Sequence, residues 1–339
     1  MIMLAGILLG CRHNPQATDS VSSEAETPFK LAQYQAGEST RLAMLVGGRL
    51  HDLRHLNETV PPVGQSAMPG DMLELIADYQ DLKPRLYQLA NFIGLNKESP
   101  HLAALDLSSS EARLLAPVLY PWNLLAVAVN YRQHGSEMGR ELDENYQMDA
   151  PYVFAKSPKA SIIADGEAVV LPQGRDRIDW EVELAVVIGS KAKNVPRQEA
   201  RNYIFGYTLM LDISDRGGRQ RSDPQFNSDW FSAKSQDRFA PLGPYIVPAE
   251  FVQDPHSLNL KLAVNGEVMQ DYNTSFMVHG VYDLVSYISS IQTLEPGDVI
   301  STGTPPGVGA GRQPPLFLKS GDVIRAEIEG ICTIRTPVE

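Results

Sequence analysis

Apolar and polar positions alternate along "IDWEVELAVVIG", residues 178–189, and the pattern predicts a β-strand that ends at a glycine. Side chains on a strand alternate between faces, so Asp179, Glu181 and Glu183 share one face, followed by Ala185 and Val187. Trp180, Val182, Leu184, Val186 and Ile188 make up the other face and predict a core-facing stripe. The three acids stand side by side at the open end of their face. Carboxylates that close repel, and each resists ionisation unless a positive charge sits among them.

The same reading extends along the chain. "TRLAMLVGGRLHDL" predicts a strand, a turn at Gly47-Gly48 and a second strand. "DMLELIADYQDLKPRLYQLANFIG" carries Met72, Leu73, Ile76, Tyr79 and Leu82 at helical spacing, with a break expected at Pro84. From Trp122 onward the texture changes to short apolar runs separated by turn residues: "NLLAVAVNY", "EAVVLP", "LAVVIG", "LNLKLAVNGEV" and "GDVIRAEIEGICTIR". "EPGDVIST" and "KSGDVIRA" each place Gly-Asp in a turn before a strand, but no fixed-period repeat runs through the chain. These patterns predict a smaller N-terminal α/β domain at residues 29–115. They predict a β-rich α+β domain, a roll or sandwich of mixed sheets, at residues 120–337. His51, His55 and His101 lie scattered among polar residues and are expected at the surface.

Composition narrows the classes. With 339 residues, 43% hydrophobic and 21% charged, the chain is long enough for one large or two ordinary globular domains. A formal net charge of −12 and the lack of a Lys/Arg cluster argue against a nucleic-acid surface. Residues 1–28 stand apart. An apolar run too short to span a bilayer stops at Gly10-Cys11, and a Ser/Glu/Thr-rich stretch follows. The order resembles a bacterial lipoprotein signal with a lipid anchor at Cys11 and a polar tether. Against that reading, the first residues carry no Lys or Arg and Leu9 is bulky beside the cleavage point; a cytoplasmic protein with a ragged start is the other reading. Cys332 is the only further cysteine, which excludes a disulfide framework and favours neither compartment.

Three stretches carry chemistry. In "FGYTLMLDISDRGGRQ" the apolar run Tyr207–Leu211 ends in Asp212 before a Gly-containing turn. Taken alone, Asp212 reads as a turn or cap aspartate. With Glu181 and Glu183 it completes an all-oxygen ligand set for a hard divalent cation: Mg²⁺, with Mn²⁺ or Ca²⁺ able to substitute. No pair of His or Cys has the spacing of a zinc site. In "NYRQHGSEMG", His134 and Glu137 are three apart and share one side of a helical turn, where the carboxylate can orient the imidazole as a general base. A surface ion pair is the plainer reading of that pair alone. Lys234, between Trp230 and Phe239, reads by itself as a snorkelling lysine.

"NYRQHGSE", "IDWEVELAVVIG", "GYTLMLDISDR", "SAKSQDRFAPLGPYIV", "NGEVMQDYNTSFM" and "LEPGDVISTGTPPGVG" occur in this order, and together they resemble the fumarylacetoacetate hydrolase family. "TGTPPGVGAG" alone suggests a nucleotide loop, but it lacks the Lys-Ser/Thr of a phosphate cradle. The resemblance covers roughly residues 120–337, and the domain at 29–115 suits the family's variable N-terminal part. It implies a mixed β-roll, usually a homodimer, with the site at the roll's mouth. Glu181, Glu183 and Asp212 match the metal-binding carboxylates, and His134 and Glu137 match the dyad on a mobile lid that activates water. Lys234 matches the lysine that binds or polarises the substrate, and Thr304 the threonine of the TGTP motif. Tyr131, Arg216 and Arg219 complete the expected substrate-binding set. Arg219, with Gln220 beside it, stands where the diketo-acid hydrolases carry glutamine, and a cation there favours a second substrate carboxylate. Leu211 stands where the family often has asparagine.

The expected activity is metal-dependent cleavage, as hydrolase or lyase, of a β-diketo or 2-oxo acid: C–C hydrolysis of a compound such as fumarylacetoacetate or an acylpyruvate. Decarboxylation, isomerisation or hydration on the same metal site is the alternative, because one site of this kind hosts several reactions. A reading from another class is a tethered protein that binds a metal–carboxylate ligand without converting it. The His134–Glu137 dyad argues against that, since a binder needs no base.

Overall fold

The computed structural model describes residues 21–62, 67–99, 102–103, 106–107, 112–140, 150–218, 220 and 228–339. The signal and lipid anchor read at residues 1–11, the position of His101 and the role read for Arg219 fall outside them.

The N-terminal part opens on a four-stranded antiparallel sheet in the order Arg49–Asp52, Ser39–Val46, Lys30–Ala36, Arg113–Leu114. The expected turn between two of these strands is present. Gly47 and Gly48 both have positive φ, 57° and 86°, as a tight hairpin turn whose twist matches its strands demands. Helices Met72–Ala77 and Tyr79–Leu95 follow. Asp71 caps the first by accepting the Glu74 N–H at 2.9 Å. The break falls at Asp78 and not at Pro84, which lies inside the second helix. A proline there supplies no N–H to the carbonyl four residues back, that of Gln80 in the helix's first turn. His51 also departs from expectation: it is fully buried on its strand, whereas His55 is exposed.

The rest of the chain is β-rich, as expected. A mixed six-stranded sheet runs Val247–Pro248, Ile204–Leu211, Val182–Ile188, Val299–Ser301, Leu124–Ala128, Tyr152–Lys156. Only Val299–Ser301 and Leu124–Ala128 pair in parallel within it. A second, antiparallel sheet holds Glu267–Asn273, Asn259–Val264, Val323–Ile328 and Cys332–Pro337. "EAVVLP" forms no strand; Val169 makes an isolated bridge to Val338. The segment's backbone still pairs with the chain's last residues, Val169 N–H donating to the Pro337 carbonyl at 2.9 Å and Leu171 N–H to the Glu339 carbonyl at 2.7 Å, a contact too short to count as a strand.

The stripe Trp180, Val182, Leu184, Val186 and Ile188 packs in one core with Leu260, Leu262, Ile324 and Ala326 of the second sheet. Ala185 and Val187, on the opposite face, pack with Leu82, Leu86 and Leu89 of the N-terminal helix. The central strand is therefore buried on both faces, which fixes its register tightly, because a slip of one residue would exchange acids for core side chains. No helix among the described residues is long and apolar enough to cross a membrane.

Candidate metal centre and active site

Strands Val182–Ile188 and Ile204–Leu211 pair antiparallel, with Val182 opposite Leu211 and Glu183 opposite Met210. Just past the end of this ladder, Asp212 N–H donates to the Glu181 carbonyl at 2.9 Å. That register sets Asp212 against Glu181, and the pleat brings Glu183 to the same face. One carboxylate oxygen from each of Glu181, Glu183 and Asp212 lies within 4.8 Å of the others. All three are buried, at 4%, 1% and 1% exposure. All three line one pocket.

Three cations answer the repulsion. Lys234 Nζ donates to Glu181 Oε2 at 2.7 Å and to Asp212 Oδ2 at 2.5 Å. Lys156 Nζ donates to Asp212 Oδ1 at 2.6 Å and to the Ile213 carbonyl at 3.1 Å. Arg216 donates through Nη2 to Glu181 Oε1 at 2.5 Å and through Nε to Asp179 Oδ2 at 2.8 Å. Burial opposes the ionisation of Glu181, but Lys234, then Arg216 and His134, outweigh it and hold this carboxyl below the usual range. Glu183 goes the other way. Burial, then the charges of Asp212 and Glu181, push it well up, although it accepts Ser301 Oγ at 2.5 Å and Gly303 N–H at 2.9 Å. Burial lowers the pKa of Lys156 despite Asp212. Lys234 is raised, because Asp212 and Glu181 overcome its desolvation.

The donor set suits a hard divalent cation: carboxylate oxygens converge, and among the described residues Glu183 has no cationic hydrogen-bond donor of its own. Glu181, Glu183 and Asp212 are the residues that would hold it. The pocket they line is small, about 50 Å³. His134, Arg216, Lys234 and Thr304 line it beside the three acids, with Phe154 and Trp230 as an aromatic wall, rings 5.0 Å apart.

His134 and Glu137 meet as their spacing predicts. They sit on the short helix Arg132–Glu137, with His134 Nδ1 2.7 Å from Glu137 Oε1. Glu137 Oε2 accepts the Gly307 N–H at 2.8 Å, so both carboxylate oxygens are held. That fixes the imidazole through Nδ1 and leaves Nε2 outside the dyad bond. Thr304 Oγ1 donates to the Val182 carbonyl at 3.0 Å and accepts from Gln270 Nε2 at 2.9 Å. Tyr131 is fully buried edge-on against Tyr272, and its hydroxyl has no hydrogen-bond partner among the described residues. It is not among the side chains lining the pocket.

Lys156 escaped the sequence reading. A signal was present: on the strand Tyr152–Lys156, Tyr152, Phe154 and Lys156 share a face, and the first two pack on Trp230, the first residue of the helix that carries Lys234.

The family description "fumarylacetoacetate (FAA) hydrolase C-terminal" matches residues 123–339. The chain belongs to the fumarylacetoacetate hydrolase family. It is similar to an oxaloacetate tautomerase, fahd2, of Xenopus laevis, 32% identical over 330 residues that cover 94% of this chain and 93% of the relative. Among solved structures it resembles a fumarylacetoacetate hydrolase from Exiguobacterium antarcticum, with a TM-score of 0.73 at 29% identity over 92% of this chain and 99% of that one. It also resembles a maleylpyruvate hydrolase from Sphingobium sp. SYK-6 in complex with manganese(II) and pyruvate, TM-score 0.67 at 29% identity, over 91% and 98% of the two chains. The family and the β-rich fold expected from the ordered motifs thus hold.

Proposed function

We propose that this chain is a divalent-cation-dependent enzyme that moves a proton at the carbon beside the keto group of a small 2-oxo acid, interconverting keto and enol forms of a compound such as oxaloacetate. The observation that carries the reading is the convergence of the buried acid triad, Lys234 and the His134–Glu137 dyad on one small pocket. The Xenopus relative named an oxaloacetate tautomerase, similar over nearly the whole chain, supports the substrate class. The structural neighbour complexed with manganese(II) and pyruvate supports a cation and a 2-oxo acid together.

A divalent cation held by the triad would supply Lewis acidity toward the 2-oxo group, acidifying the adjacent C–H. The chain's own residues do the rest. Lys234, kept protonated by Asp212 and Glu181, offers its charge to the oxygen on which negative charge develops. His134, oriented by Glu137, takes the proton from carbon through Nε2 and returns it to oxygen. The aromatic wall of Phe154 and Trp230 limits water at the reacting carbon. Arg216 and Thr304 line the same pocket as substrate-binding residues, and Arg219 is proposed to meet a second carboxylate.

Carbon–carbon hydrolysis is the second reading, supported by the hydrolase named in both structural neighbours. It uses the same dyad to deprotonate water. The test is incubation of the purified full chain with oxaloacetate and with acylpyruvates, in Mg²⁺, Mn²⁺ or EDTA, followed by ultraviolet absorbance of the enol and by NMR of products. Cation-dependent acceleration of enol–keto exchange with total oxaloacetate conserved is the expected result. Cation-dependent cleavage of an acylpyruvate without that acceleration would replace the first reading by the second.

A further inference from the structure

Asp179 belongs neither to the triad nor to the dyad, yet it is fully buried and densely bonded. Its Oδ1 accepts the N–H of Trp180 at 2.9 Å and of Gly309 at 2.6 Å. Its Oδ2 accepts Arg216 Nε at 2.8 Å and the N–H of Ala310 at 3.1 Å. A carboxylate that gathers backbone N–H groups from a glycine-rich loop fixes a segment which otherwise has a large conformational entropy to lose. That loop is crowded where it is held. A Cβ on Gly309 would fall 1.9 Å from the Leu316 carbonyl and 2.8 Å from Asp179 Oδ1.

The same loop fixes the dyad. Gly307 N–H donates to Glu137 Oε2 at 2.8 Å, and Gly307 is itself held by Trp180 Nε1, which donates to its carbonyl at 3.2 Å. Gly311 presses on the dyad from the other side, since a Cβ there would lie 2.9 Å from Glu137 Cγ, Cδ and Oε2. In the other direction, Arg216 joins Asp179 to Glu181 of the triad. One run of contacts therefore leads from Glu181 through Arg216 and Asp179 to the Gly307–Gly311 loop, and on to Glu137 and His134.

We propose that Asp179 is a positioning residue: by anchoring the loop at Gly309 and Ala310 it sets the Gly307 N–H that orients Glu137, and so aligns the His134 imidazole over the acid triad. The proposal rests on the reading of His134 as the base. It requires that loosening Asp179 disturbs proton transfer more than cation or substrate binding.

The experiment compares the full chain with Asp179→Asn, Gly311→Ala, Glu137→Gln and the Asp179→Asn/Glu137→Gln pair. Asn keeps one acceptor for the Gly309 N–H but places an amide against Arg216. Gly311→Ala pushes on Glu137 while leaving Asp179, Arg216 and the triad untouched. Its φ is not positive, so alanine brings no backbone strain of its own. Asp179→Asn and Gly311→Ala are each expected to lower kcat by about 10–100-fold, the scale of lost supporting hydrogen bonds around a metal site, with KM changed far less. The paired variant is expected to be no slower than Glu137→Gln alone. Amide hydrogen exchange across residues 303–312 is expected to quicken in Asp179→Asn. An unchanged kcat in either folded single variant, additive losses in the pair, or unchanged exchange would overturn the proposal. If Asp179→Asn fails to fold, Asp179→Glu takes its place, since it keeps a carboxylate for Arg216 but displaces the acceptors of the Gly309 and Ala310 N–H groups, and the same outcomes are read from it. The exchange measurement needs no substrate: inactivity of the unsubstituted chain toward every oxo acid sinks the reading of the reaction, whereas unchanged exchange sinks the role of Asp179.

Discussion

Lys234 Nζ donates to Asp212 Oδ2 across 2.5 Å, while Lys156 Nζ holds the other oxygen of the same carboxylate across 2.6 Å. Both ammonium groups are buried, so each stands in a medium where an unpaired charge is costly. The two lysines are not equivalent. Lys234 lines the pocket and also bonds Glu181, whereas Lys156 makes its second hydrogen bond to the Ile213 carbonyl.

Lys234→Met is therefore expected to cut kcat by about 10²–10³-fold through lost charge stabilisation. Lys156→Met is expected to act mainly on stability, by about 3–5 kcal/mol in the absence of a cation, because it leaves a buried carboxylate short of its partner. Steady-state kinetics and urea melts of the two variants separate these effects.

The dyad predicts a graded loss. His134→Ala removes the proposed base and should cost about 10²–10⁴-fold in kcat. Glu137→Gln keeps an acceptor for the Gly307 N–H but loses the carboxylate that favours one tautomer, so its loss should be smaller than that of His134→Ala. Equal activity in all three proteins would remove the dyad from the chemistry.

Glu250 ties the N-terminal helix to the β-rich part: Tyr79 and Tyr87 donate their hydroxyls to its Oε1 at 2.7 and 2.6 Å, and Lys83 lies 3.3 Å away. Glu250→Ala strands two phenol donors and should cost about 1–3 kcal/mol in a urea melt. Since none of these groups lines the catalytic pocket, kcat should stay unchanged.

Cys332 is buried, and desolvation pushes its thiol up to about 11. In a Cys11→Ser chain, no thiol should react with a disulfide reagent at pH 8 until denaturant is added. The sign for stability follows. The unfolded thiol ionises at lower pH than the folded one, so this group's contribution is complete at neutral pH. It is lost as the pH climbs from about 8.5 toward the folded value.

Period-2 alternation exposed Glu181 and Glu183, but the expected strand is interrupted at Trp180–Glu181, and Ile178–Asp179 pairs with Ser214–Asp215 in a separate two-stranded sheet, so Asp179 lies outside the acid cluster. Helical spacing exposed the dyad. Lys234 looked like a surface lysine since its partners, Glu181 and Asp212, are distant in sequence and meet it only through sheet register. Lys156 and Asp179 stayed hidden for the same reason: their roles depend on the turn after Leu211 and on the Gly307–Gly311 loop folding back. His51 misled because polar neighbours in sequence say little about which side of a strand faces a core.

Glu181, Glu183 and Asp212 are proposed to hold the divalent cation that the reaction needs. Calorimetric titration of Mn²⁺ into the full chain and into Asp212→Asn tests it most directly. One Mn²⁺ per chain is expected for the unsubstituted protein, with loss of that binding in a folded Asp212→Asn. Equal Mn²⁺ binding by the two proteins would contradict it.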